Sequence, residues 1–129
     1  MEVVRRKIEA GAKWSLSYLK VAAEEGRKIL TQDVQYDHAV DQVELLACED
    51  DPTHPKALLE VQQHGDFYEL KEKGGVLRKI NLRVYFILVD RPTKTLWVIG
   101  CYKKEDEGQT PRQIVIKMKT RAKYVRDRL

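Results

Sequence analysis

A chain of 129 residues, 43% of them hydrophobic, holds enough apolar material for one core and too little length for two, so a single domain over 1–129 is expected. No apolar run approaches the roughly 18 residues of a membrane span, and the charged opening MEVVRRKIEAGAKW lacks the apolar segment of a signal peptide. A cytoplasmic protein without a membrane span or signal peptide is therefore expected. The net charge of +4 conceals a division: residues 1–70 carry 8 Lys/Arg against 14 Asp/Glu (net −6), and residues 71–129 carry 16 against 6 (net +10). A polyanion-facing part on an acidic support follows from such asymmetry.

Along the chain, EVVRRKI fits either a strand or the start of a helix, and WSLSYL alternates with period two, so at least one of them is a first strand. Val21 to Leu30 carries a helical apolar pattern that Gly26 weakens. A second helix is expected from Asp37, as cap, through the stripe Ala39, Val40, Val43, Leu46 and Ala47, closing before Pro52. Phe67 begins a period-two strand that runs into Gly74-Gly75, a dipeptide suited to a tight hairpin turn. The next strand, VLRKINLRVYFILVD, puts Ile80, Leu82, Val84, Phe86 and Leu88 on a core face and Lys79, Asn81, Arg83 and Tyr85 on a polar one. TLWVIGCY, apolar on both faces, suits a central strand and delivers Lys103 and Lys104 at its end. Thr110-Pro111-Arg112-Gln113 reads as a capping box with Thr110 as N-cap, opening a basic C-terminal helix.

Cys48 and Cys101 fall in apolar patterns without a second cysteine at ligand spacing, so both read as buried free thiols. His38, His54 and His64 match no zinc spacing and read as surface or loop residues; no metal site and no cofactor is expected. No phosphate-binding loop and no nucleophile elbow is present. What remains is a cationic strand face with interleaved tyrosines and a basic helix, which suits single-stranded RNA: cations neutralise phosphates and aromatic rings stack on unpaired bases.

Over residues 58–129 the element order and several short motifs resemble the RelE/HigB toxins of bacterial toxin-antitoxin systems, in their phage-related branch. The stretches that carry this are Phe67-Tyr68-Glu69-Leu70-Lys71, Leu82-Arg83-Val84-Tyr85, Tyr102-Lys103-Lys104, Gly108-Gln109-Thr110-Pro111 and Arg121. The spacing from lysine pair to threonine-proline is the most specific of them. The chain departs from the pattern in having Cys101 where an aromatic is usual, Lys71 where arginine is usual, and an N-terminal extension over 1–20.

The resemblance implies an α+β fold, with two N-terminal helices packed on a small antiparallel β-sheet and a basic C-terminal helix. It implies the toxin of a toxin-antitoxin system, an mRNA endoribonuclease working on the ribosome and held by a cognate antitoxin protein. Arg83, Lys103, Lys104 and Arg121 are then the catalytic candidates. Lys71, Arg78, Lys79, Tyr85, Tyr102 and Tyr124 are the RNA-binding ones. The general base stays open between a lysine and Glu105. Two other readings stay open: a toxin of the same fold that binds DNA gyrase, and a non-catalytic nucleic-acid-binding module.

Overall fold

The computed structural model describes residues 1–6, 11–105 and 108–129. Strands β1 (Val3–Arg6) and β2 (Ser15–Leu19) open the chain; helices α1 (Lys20–Ile29) and α2 (Asp33–Ala47) follow. Then come β3 (Glu60–Gln63), β4 (Tyr68–Glu72), β5 (Leu82–Val89), β6 (Thr95–Lys103) and helix α3 (Arg112–Arg128).

The strands make one six-stranded sheet in the order β1-β2-β6-β5-β4-β3. All neighbours are antiparallel except β2 and β6, which run parallel from Ser15↔Thr95 to Tyr18↔Val98. This corrects the expected fold: the sheet is mixed and not antiparallel, it is not small, and two strands precede the helices. Residues 1–20, expected as an extension, supply β1 and β2, and β2 lies beside the central strand β6. Lys7 and Ile8 of the EVVRRKI stretch lie outside the described residues.

Alternation along β5 and β6 sorts the side chains into two faces, and both are covered. Leu82, Val84 and Cys101 face Ala22, Gly26, Val40 and Val43 of α1 and α2. Gly100, one residue from Cys101, lies against Met118 and Arg121 of α3. A Cβ there would stand 2.4 Å from the Met118 thioether, so the helix can seat only because this position carries no side chain. Phe86, Ile87, Leu96, Val98 and Ile99 are buried between the two helical layers. The expected polar face of β5 is therefore an interior face.

Other local expectations shift for identifiable reasons. α2 begins at Asp33, four residues before the expected cap, without any side-chain cap. Gly74 and Gly75 both take positive φ, yet lead into a 3₁₀ turn over Gly75–Leu77 instead of a hairpin, so β5 starts only at Leu82. Gln35 of α2 donates to Val76 O and ties that turn to α2. Cys48 is exposed, while Cys101 packs beneath α1 and burial pushes its thiol up to about 12.

Candidate functional site

The sheet edge formed by β3, β4 and β5 gathers polar side chains on the α3 face. Cross-strand pairing aligns Gln62 with Glu69 and Glu69 with Tyr85, and in the next row Lys71 with Arg83 and Arg83 with Tyr102. Side chains of paired residues share a face, so these rows stand side by side. α3 covers the β5–β6 part of this face and leaves the β3–β4 part to the segment leading into the helix. The result is a cleft of about 500 Å³ lined by Gln62, His64, Lys71, Lys104, Gly108, Gln109, Thr110 and Val115.

Behind the cleft wall lies a carboxylate. Glu69 is 1% exposed, Tyr85 0%, and Arg83 and Lys104 8% each, so charged groups here have given up most of their water. The Thr110 hydroxyl donates to Glu69 Oε1 at 2.8 Å. Arg83 Nε stands 3.7 Å from Glu69 Oε2, and His64 Nε2 stands 3.4 Å from Oε1. Arg83 Nη1 donates to the Leu82 carbonyl. Burial pushes the Tyr85 phenol well above its ordinary range, so the ring stays neutral. Among the described residues His64 Nε2, Arg83 Nε and Tyr85 OH, all three around one carboxylate, are buried without a hydrogen-bond partner. Such a group is costly in a purely structural role.

The lysine pair is divided by the pleat. Lys103 is exposed and pairs with Leu82, a residue facing α1 and α2. Lys104, fixed by its backbone N–H on Asn81 O at 2.9 Å, turns into the cleft beside Lys71. Lys71 also meets Glu60 at 3.4 Å.

Of the remaining predicted residues, Arg78, Lys79, Arg121 and Tyr124 are not gathered here, and Tyr85 and Tyr102 stand beside Glu69 and Arg83 without being free to stack on a base. Arg121 reaches over β6 to Glu25 of α1, with Nη1 to Oε1 at 2.8 Å and Nη2 to Oε2 at 2.9 Å, and donates to Ile99 O at 2.9 Å. Glu25 Oε1 in turn accepts the Cys101 N–H at 3.1 Å. β2 pairs with β6 only as far as Val98, so this ion pair satisfies the strand edge that β2 leaves open. Arg78 and Lys79 are exposed on the 3₁₀ turn next to α2, away from the cleft. Tyr85, expected to stack on a base, is enclosed edge-to-face against Phe67 at 5.7 Å. Tyr124 accepts a hydrogen bond from the Met1 amine, beneath the Arg128 guanidinium. Tyr102 is half-buried opposite Arg83. Glu105 is exposed.

Two side chains of this arrangement escaped the sequence reading as functional residues. Glu69 lies in a quoted motif and is an acid flanked by apolar residues on a strand, a signal of burial that needed a partner to interpret. His64 follows the last residue of β3, five residues before Glu69, and only the hairpin brings its ring back over Glu69. Thr110, expected as a helix cap, is bonded to Glu69 instead; α3 starts behind Pro111 without a side-chain cap. Among the described residues no group of three or more His, Cys, Asp or Glu is placed to hold a metal ion, and no helix is long and apolar enough to cross a membrane. No protein-family model, no curated protein and no solved structure matches the chain.

Proposed function

We propose that this protein is the toxin of a toxin-antitoxin pair and an mRNA endoribonuclease that acts on the ribosome. One observation carries the reading. Six residues from four separate motif stretches surround a single cleft, with Lys71, Lys104 and Thr110 at its wall and Glu69, Arg83 and Tyr85 behind it.

A cleft with two cations and little exposed aromatic surface suits a phosphate more than a flat protein partner. A phosphodiester seated between Lys71 and Lys104 is attacked by its adjacent ribose 2′-hydroxyl, and the ammonium groups stabilise the charge that gathers on the phosphorane. Arg83 acts from behind, holding the Glu69 charge in place. The net +10 of residues 71–129 favours single-stranded RNA as ligand and an acidic antitoxin as its competitor.

Translating ribosomes incubated with the protein, followed by mapping of mRNA 5′ ends, test the proposal. Discrete new ends inside the reading frame are expected. Intact mRNA together with inhibited gyrase supercoiling would replace it with the gyrase-binding reading. RNA that is bound but never cut would leave a binding module.

A further inference from the structure

We infer that His64 is the general base of this cleft, taking the proton of a ribose 2′-hydroxyl, with Phe67 holding its ring and the Glu69 carboxylate behind it stabilising the charge that the ring takes up. This rests on the endoribonuclease reading and names the proton carrier that the motif residues do not supply.

The ring of His64 is held in one plane. Its backbone N–H donates to Phe67 O at 2.8 Å, closing the hairpin. The ring stacks on Phe67 at 5.1 Å with 16° between planes and meets Tyr85 edge-on at 6.5 Å. Nε2 is buried and turned to Glu69, which leaves Nδ1 as the nitrogen for a ligand in the cleft. Glu69 is fixed in its turn by the Thr110 hydroxyl. The Glu69 carboxylate, 3.4 Å behind Nε2, stabilises by its charge the imidazolium formed when Nδ1 accepts a proton. The charged and titratable groups around His64 are Glu69 and Lys71 from β4, Arg83 and Tyr85 from β5, and Lys104 after β6.

The step closes without a co-reactant. The 2′-hydroxyl proton passes to His64 Nδ1 while O2′ bonds to phosphorus, and the bond from phosphorus to O5′ breaks. O5′ takes a proton from the Lys104 ammonium. The products are a 2′,3′-cyclic phosphate and a 5′-hydroxyl; His64 returns its proton to solvent and Lys104 regains one.

Single-turnover cleavage of ribosome-bound mRNA by wild type, His64→Ala and His64→Gln tests this. Both variants should lose about 10² or more in rate, the size of a general-base contribution. Added imidazole should restore part of the rate of His64→Ala and none of His64→Gln, whose side chain fills the space. Binding of an RNA carrying a 2′-deoxy residue at the cut should stay within about twofold, which also certifies that the variants are folded. Cleavage by both variants within about threefold of wild type would overturn the role of His64 and leave the endoribonuclease reading standing. A wild-type protein that binds this RNA and never cuts its all-ribose counterpart would overturn both.

Discussion

Replacing Arg121 by methionine should destabilise the protein by about 3–4 kcal/mol and leave RNA binding almost unchanged. Breaking one partner of a buried ion pair costs about 3–5 kcal/mol. Glu25 keeps some solvent contact, with 23% of its side chain exposed, and it keeps the Cys101 N–H, which places its share near about 2–3 kcal/mol. The Ile99 carbonyl, in a fully buried residue, loses its donor and adds about 1 kcal/mol. Against a total of about 5–15 kcal/mol for a domain, the loss is large, and it corresponds to a fall in Tm of about 10 °C. Urea unfolding followed by far-ultraviolet circular dichroism, at constant slope, measures it. The double variant Glu25→Gln/Arg121→Met, which keeps the acceptor for Cys101 and removes both charges, should be less damaged than the sum of the single changes by more than about 1 kcal/mol. If Arg121→Met unfolds within about 1 kcal/mol of wild type while its RNA affinity drops, the guanidinium belongs to a ligand and the structural assignment fails.

Lys104→Ala should lower the single-turnover cleavage rate by at least about tenfold relative to Lys103→Ala, equal to 1.4 kcal/mol of transition-state stabilisation; equal rates would remove Lys104 from the site. Gly100→Ala should cost about 1–3 kcal/mol in urea unfolding, since its methyl group meets the Met118 thioether at 2.4 Å and Arg121 Nη1 at 2.9 Å; a neutral effect would mean that α3 seats differently. In the folded protein at pH 8, iodoacetamide should label exposed Cys48 and spare Cys101, which reacts only after denaturant is added. Because folding raises the Cys101 thiol from an ordinary value of 9.0 to about 12, its contribution to stability is complete below pH 9 and is lost as pH rises toward 12, which alkaline unfolding of wild type against Cys101→Ala measures.

Period-two alternation identified the β5 and β6 segments and the phase of their side chains, and it placed Arg83 and Tyr85 on one side. It could not say what covers that side. The basic residues of α3 drew the eye to a solvated helix, yet Met118, Ala122 and Val125 are a sufficient stripe to close the sheet once Gly100 lets the helix approach. Arg83 was expected to contribute little to the core and is instead buried beside Glu69. The parallel pairing of β2 with β6 was equally hidden, because SLSYL carries no mark of its partner. The lysine pair shows the limit most plainly: the pleat sends the two side chains to opposite sides, but only the register with Leu82 and Arg83 decides which of them meets the cleft.

Two ionic groups hold this sheet together by different means. Glu25 and Arg121 meet in good geometry, with every short contact made, and join α1 to α3 across the edge that β2 leaves open. Glu69 is more deeply buried, but its nitrogen neighbours stop short: Arg83 Nε at 3.7 Å and His64 Nε2 at 3.4 Å make no hydrogen bond with it, and among the described residues Thr110 is the side chain that donates to it. A chain selected for stability alone would gain by replacing the second group with apolar side chains of similar volume. Its retention beside an open cleft, with donors held short of closure, is the arrangement expected where a ligand or a transferred proton completes the bonding. Optimising that group for packing, by Glu69→Leu with Arg83→Met, should therefore hold or raise the urea midpoint and abolish cleavage. A double variant that loses stability and keeps its activity would show that Glu69 and Arg83 serve the fold and not the cleft.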